Sequence, residues 1–402
     1  MSLISPTGQI QEPSNKKPAP PFWQLAFRPF FLSAAVFAVL SIALWLAMYN
    51  SAIDWQPING MYWWHMHEML FGFVVAVVVG FLLTAARTWT QLDTVSGIPL
   101  LLLFLLWLGA RLFILIPVMP MLLIALLDVS FLLFSAYFLG KPIFTIKQWR
   151  NVMFVPILLA MATLNGLSWY YALTGVALQG LWLFHAMVLL VAVVMCIMGG
   201  RVFPMFTANG TNTQRVPAIA WLEHASIISV LFAAITTLIG HPSLAEFSSY
   251  SLIAAGSINF VRAVRWRIWV TLRTPLVWSL HVSYWAVCIG LVMLGMAQLG
   301  MGIQSLALHA ITIGGMGGMI LSMISRVSLG HTGRKIVAPR LMVFAFVFIN
   351  LSFLMRVFLP SWLGNYQLAV ILSGACWIVA FSFFVVRYTS ILTKARIDGL
   401  PG

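Results

Sequence analysis

Charge is what this sequence has least of: 22 basic and 8 acidic residues in 402, or 7% charged in all, against the roughly 25% of an ordinary soluble chain. So few charges cannot clothe a water-facing surface of this size, and a soluble globular protein is excluded. Cysteine is almost as scarce. Cys196, Cys288 and Cys376 all lie in apolar runs, so no disulfide framework is expected, and the lack of any C-x-x-C-H excludes thioether-linked haem. The apolar runs do not alternate with polar residues (LLLFLLWLGARLF at 101–113). That argues against a membrane β-barrel and leaves helices, since lipid forces every backbone polar group to be satisfied internally. No cleavable signal is expected: the first 21 residues are polar and Pro-rich and read as a disordered tail. Nothing resembles a soluble redox domain.

What is there is apolar length: 62% hydrophobic residues and a mean hydropathy of +1.00. Windows of about 20 apolar residues, enough to cross a bilayer, recur throughout. We read twelve spans, at 27–49, 62–86, 97–117, 120–140, 151–173, 176–200, 217–240, 244–262, 275–300, 303–325, 340–359 and 364–388. The fold expected is all-α, a polytopic integral membrane protein of about twelve helices. It divides into a tail at 1–22, one transmembrane domain at 23–392 and a second tail at 393–402. The net charge of +14 would suggest nucleic acid on a soluble domain, but its distribution excludes that partner. Every basic residue except Arg111 and Arg356 falls on one side of this topology, from Lys16 and Lys17 through Arg87, Lys141, Arg201 and Arg267 to Arg334 and Arg396. The positive-inside rule then puts both termini in the cytoplasm.

Ionisable residues inside spans are costly and mark function by default. His65, His67 and Glu68 head the second span in WWHMHEMLFGF at 63–73, and Asp128, His185 and His309 lie farther in from the same outer face, where Arg111 and Arg356 also sit. A smaller inner set comprises Glu223, His224, His281 and His331, while His241 falls in an outer loop. Trp63, Trp64, Trp89 and Trp169 read as residues of the interfacial aromatic belts.

Spacing narrows the roles. Residues two apart on a helix point to nearly opposite sides at 3.6 residues per turn, so His65 and His67 serve two sites and not one chelate. His65 and Glu68, at i and i+3, share a face, which suits Glu68 to orient His65. In the tenth span Gly314 and Gly318 form a G-x-x-x-G, with Gly315 and Gly317 thinning the helix further; the pattern admits either a neighbouring helix or a flat macrocycle. Met316, Met319 and Met323 fall on similar faces of that span and are either core filler or soft ligands for copper(I). The second, sixth and tenth spans each carry a histidine (His67, His185, His309) and each ends near an arginine, which suggests three four-helix units, an arrangement analogous to that of haem–copper oxidases.

The segments FRPFFL (27–32), WHMHEMLFGF (64–73), GFLLTAARTWTQ (80–91), GGRVFPMFT (199–207), LVWSLHVSYW (276–285) and ISRVSLGHTGR (324–334) resemble the NnrS family, in order, from the first span to the loop after the tenth. The resemblance implies a twelve-helix protein of the bacterial inner membrane that binds non-covalent haem b and copper. It also implies a part in denitrification and in the response to nitric oxide and nitrosative stress. Its motifs carry His65, His67, His281, His309 and His331. On that footing His67 and His309 are expected as axial haem ligands, with Arg111 and Arg356 on the propionates. His65, supported by Glu68, would face a second metal site with His185, and His281 is a further candidate ligand. A nitric-oxide-consuming oxidoreductase would need an electron donor such as a quinone or a cytochrome. Two other readings fit the residues: a proton- or ion-coupled transporter of a metal or nitrosyl complex, and a sensor that binds nitric oxide without turnover.

Overall fold

The computed structural model describes residues 19–239 and 242–399; His241 and the residues of the N-terminal tail up to 18 lie outside them. Among the described residues every regular element is helical. Twelve long helices follow one another: α1 (Phe27–Tyr49), α2 (Met61–Thr90), α3 (Gly97–Leu115), α4 (Met121–Thr145), α5 (Trp149–Leu173), α6 (Ala177–Thr211), α7 (Ala220–Ile239), α8 (Ala245–Arg265), α9 (Pro275–Gln298), α10 (Gln304–His331), α11 (Arg340–Val357) and α12 (Tyr366–Thr393). Each packs on the next, and α12 returns to pack on α1.

Eleven of the twelve are long and apolar enough to cross a membrane. The exception is α8, and its composition explains why. Its 21 residues span about 31 Å at 1.5 Å each, long enough for a bilayer, but Ser248, Ser251, Asn259 and Arg262 dilute its hydropathy. Those groups are spent on neighbouring helices: Ser248 bonds Thr237 at 2.9 Å, Ser251 bonds Thr236 at 3.2 Å, and the Asn259 amide donates to the Ser226 carbonyl at 3.0 Å. Glycine lets α8 and α9 come close enough to make this arrangement. A Cβ at Gly256 would lie 2.6 Å from the Cys288 carbonyl oxygen, and one at Gly295 would lie 2.5 Å from that of Ser249.

The second, sixth and tenth helices are the centre of the bundle. Buried residues make up 78% of the apolar window of α2 and 72% of those of α6 and α10, against 61% in α9 and 28–44% in the seven other spans; they are core because their neighbours surround them. Two of the three leave α geometry at one place each. A π-helical stretch runs from Glu68 to Val74, directly after His67, and another from Ala310 to Gly317, directly after His309. Such widened turns concentrate at functional sites.

The tenth-span glycines turn out to serve helix packing. A Cβ on Gly314 would meet Phe353 and Ala286 at 2.7 and 2.8 Å, and one on Gly315 would meet Val287 at 2.5 Å. The thinned face is therefore pressed against α9 and α11, and of the two occupants the pattern admits it takes neighbouring helices. Three of the four tryptophans assigned to the belts are interior as well: Trp63, Trp64 and Trp169 are buried.

Candidate functional site

Two polar centres flank α2, one on each side. The first gathers His67 and Glu68 from α2, Arg111 from α3, Asp128 from α4, and Asn165 and Trp169 from α5, all of them buried. His67 Nδ1 lies 2.9 Å from Glu68 Oε1, and its Nε2 lies 3.0 Å from Asn165 Oδ1 and 3.2 Å from Asp128 Oδ2. Asn165 Nδ2 donates to Asp128 Oδ2 at 2.8 Å, which leaves the amide oxygen as acceptor for the imidazole, and Trp169 Nε1 donates to the same carboxylate oxygen at 3.0 Å. Arg111 pairs with Asp128 and, at 3.3 Å, with Glu68. The Trp63 ring stacks on His67 with centroids 4.4 Å apart.

The charge arithmetic of this centre is tight. Two carboxylates face one guanidinium, and both imidazole nitrogens face acceptors. With a proton on each ring nitrogen, the four charges sum to zero, as a dry interior demands. Gly72 makes the room: a Cβ there would lie 2.8 Å from Arg111 Nη1. Its carbonyl, in the π-helical turn, accepts from Trp107 Nε1 at 2.8 Å.

The second centre is a cavity of about 150 Å³ on the other side of α2, bordered by His65, His185, His309 and Arg356 within a wall of Trp45, Phe73, Phe184, Met316 and Trp377. That is some ten times the roughly 10–15 Å³ that holds one water. His65 stacks on Trp45 with centroids 4.3 Å apart, and its buried Nδ1 has no hydrogen-bond partner. His309 Nδ1 lies 2.6 Å from the Ser305 carbonyl oxygen. A carbonyl only accepts, so Nδ1 carries the proton and Nε2 is left with its lone pair free. Arg356 donates through Nη2 to Ser305 Oγ at 3.1 Å and to Tyr366 Oη at 2.5 Å, while its Nη1 is buried without a partner.

The structure thus sorts the sequence candidates. His65, His185, His309 and Arg356 border one cavity; His67, Glu68 and Arg111 do not. Both nitrogens of His67 are engaged elsewhere, so pairing it with His309 across one ligand is corrected. Glu68 bonds His67, the adjacent residue, and not His65. The i, i+3 argument assumed a regular α-helix, and the π-helical turn begins at Glu68 itself. Arg111 is occupied by two carboxylates and is withdrawn from any propionate. His281 stands apart on α9, its Nε2 2.9 Å from Thr207 Oγ1, and His331 packs its ring against Phe27. Asn165 and Trp45 were missed by sequence reasoning, and Trp169, read as a belt residue, donates to Asp128. Trp63 carried a signal, since it precedes His67 by one helical turn.

A third polar cluster joins Glu223, Arg262, Asn259 and Tyr284. Arg262 pairs with Glu223 at 3.1 Å and bonds the Cys196 carbonyl at 2.9 Å and Tyr284 Oη; Tyr284 in turn donates to Asn259 Oδ1 at 2.6 Å. It ties α6, α7, α8 and α9 together.

Fold and site define a class: a multi-pass helical membrane protein whose most buried helices carry an imidazole-lined cavity beside a charge-balanced polar centre. The sequence profile of the NnrS family, described as "NnrS protein", matches residues 21–396, and the chain belongs to that family. No individually curated protein matches it.

Proposed function

We propose that this is a haem-binding protein of the bacterial inner membrane that acts in the response to nitric oxide and nitrosative stress accompanying denitrification, and that the outer cavity is its working site. Membership of the NnrS family supports a nitric-oxide-related role at family level. The observation that carries the site is His309, whose Nδ1–H is held by the Ser305 carbonyl so that Nε2 stays free, the arrangement seen in metal-ligating histidines. The orphaned His65 Nδ1 and Arg356 Nη1 border the same cavity.

These residues fit a haem better than a bare ion. Among the described residues no three of His, Cys, Asp and Glu come together as a metal-ion set. A haem brings its own equatorial nitrogens and asks of the protein one or two imidazoles, an apolar aromatic slot and a cation for its propionates. His309 would supply the ligating imidazole, with His65 facing the same space, Trp45, Phe184 and Trp377 the slot, and Arg356 the cation. When bound, haem iron supplies a coordination position for nitric oxide. The protein's part is to hold His309 in one tautomer through Ser305, to keep Arg356 in place through Tyr366, and to exclude water with the apolar wall.

The charge-balanced centre around His67 favours a second reading, a proton-coupled transporter, because two carboxylates and an imidazole buried between helices are what a proton path uses. An electrode assay separates the readings. Purified protein with a chemical reductant is expected to bind nitric oxide with a change in its optical spectrum, and loss of dissolved nitric oxide beyond one equivalent marks turnover as against sensing. A protein that leaves nitric oxide untouched while moving protons with a metal or nitrosyl complex in liposomes would overturn the first reading.

A further inference from the structure

From the outer cavity toward the basic-loop end of the bundle, a second cavity of about 90 Å³ lies between α1, α2, α6 and α10. No polar atom lines it. Five methionines do: Met195 and Met198 from α6, and Met316, Met319 and Met323 from α10. Val74 and Met316 border both cavities, so these two side chains form a wall common to the two.

The lining decides what such a space can hold. A buried water needs roughly two to four polar partners, and none is on offer. An ion would have no counter-charge beside it. Thioether sulfurs are soft ligands for copper(I), but a cation placed among them would lack any anionic neighbour in the lining. A small uncharged guest, by contrast, gains dispersion contacts on all sides without losing a hydrogen bond, and apolar cavities of this kind stay dry and admit xenon. The wall can part because Met316 is unbranched and rotates about three bonds.

We propose that this methionine-lined cavity is a holding site for a small, uncharged, apolar molecule of diatomic size, which passes between Val74 and Met316 to reach His65 and His309. That the guest is nitric oxide rests on the functional reading above; the preference for an apolar guest does not.

Xenon tests the two parts separately. A xenon-pressurised crystal of the purified full-length protein is expected to show xenon between Met195, Met198 and Met319, and Met319→Phe, which fills the space, is expected to abolish that density. Stopped-flow mixing with nitric oxide should show association at the outer cavity slowed severalfold in Met319→Phe and in Met198→Phe, with the haem spectrum unchanged. Met319 and Met198 border the second cavity and not the first, so a slow rate in these variants is not a consequence of an altered haem site. Ordered water, copper or a detergent chain in the cavity in place of xenon would overturn the assignment, and so would unaltered association rates in both variants. If xenon binds but the protein takes up no nitric oxide, the holding site stands and the functional reading falls.

Discussion

Arg111→Leu is expected to destabilise the protein by about 3–5 kcal/mol, the cost of breaking a buried ion pair by removing one partner. The substitution leaves Glu68 and Asp128 facing each other across His67 with one positive charge fewer. Thermal unfolding in detergent, followed by tryptophan fluorescence or by loss of a monodisperse peak, reads the effect directly. The companion variant is the sharper part. Arg111→Leu combined with Asp128→Asn restores the charge sum, and most of the lost stability should return. If the double variant is no better than the single one, size and shape at Arg111 matter and the charge balance does not.

The second large effect concerns the outer cavity. His309→Ala should lower haem retention through purification by at least about tenfold, the lower bound for perturbing a metal-site partner, and His65→Ala should shift the optical bands. His67→Gln should leave the haem spectrum nearly as it is, because His67 does not border that cavity and both of its nitrogens are engaged with Glu68, Asn165 and Asp128. The pattern matters more than any single value. Equal loss of haem in His67→Gln and His309→Ala would return the ligand role to His67 and contradict the arrangement of two separate centres.

Much of the architecture was legible because the bilayer imposes it. Run length located the helices, and basic residues marked one end of the bundle. The two-residue spacing of His65 and His67 gave their divergence. Other features were not legible, for reasons that can be named. The eighth helix is polar because its serines, Asn259 and Arg262 answer groups on α6, α7 and α9, and a partner of that kind is invisible in one segment's hydropathy. Glu68 was matched to the wrong histidine because a π-helical turn breaks the 3.6-residue count on which the matching rested, and nothing local in EMLFGFV announces it. Arg111 was aimed at a ligand because its carboxylate partners come from the two neighbouring helices, 17 residues away for Asp128 on α4 and on α2 for Glu68. The histidines of the second, sixth and tenth spans were seen as a set, and those spans are the most buried; yet the cavity takes His65 and not His67 from α2. Only the packing of α1, α11 and α12 around that face shows why.

The central claim is that the outer cavity bordered by His65, His309 and Arg356 holds haem. Its most direct test is the haem content per polypeptide of the purified wild-type protein, with the reduced-minus-oxidised spectrum. The account predicts close to one b-type haem per chain, with bands that shift when nitric oxide is added anaerobically. A colourless protein, or a haem that survives the removal of both His65 and His309, would contradict it.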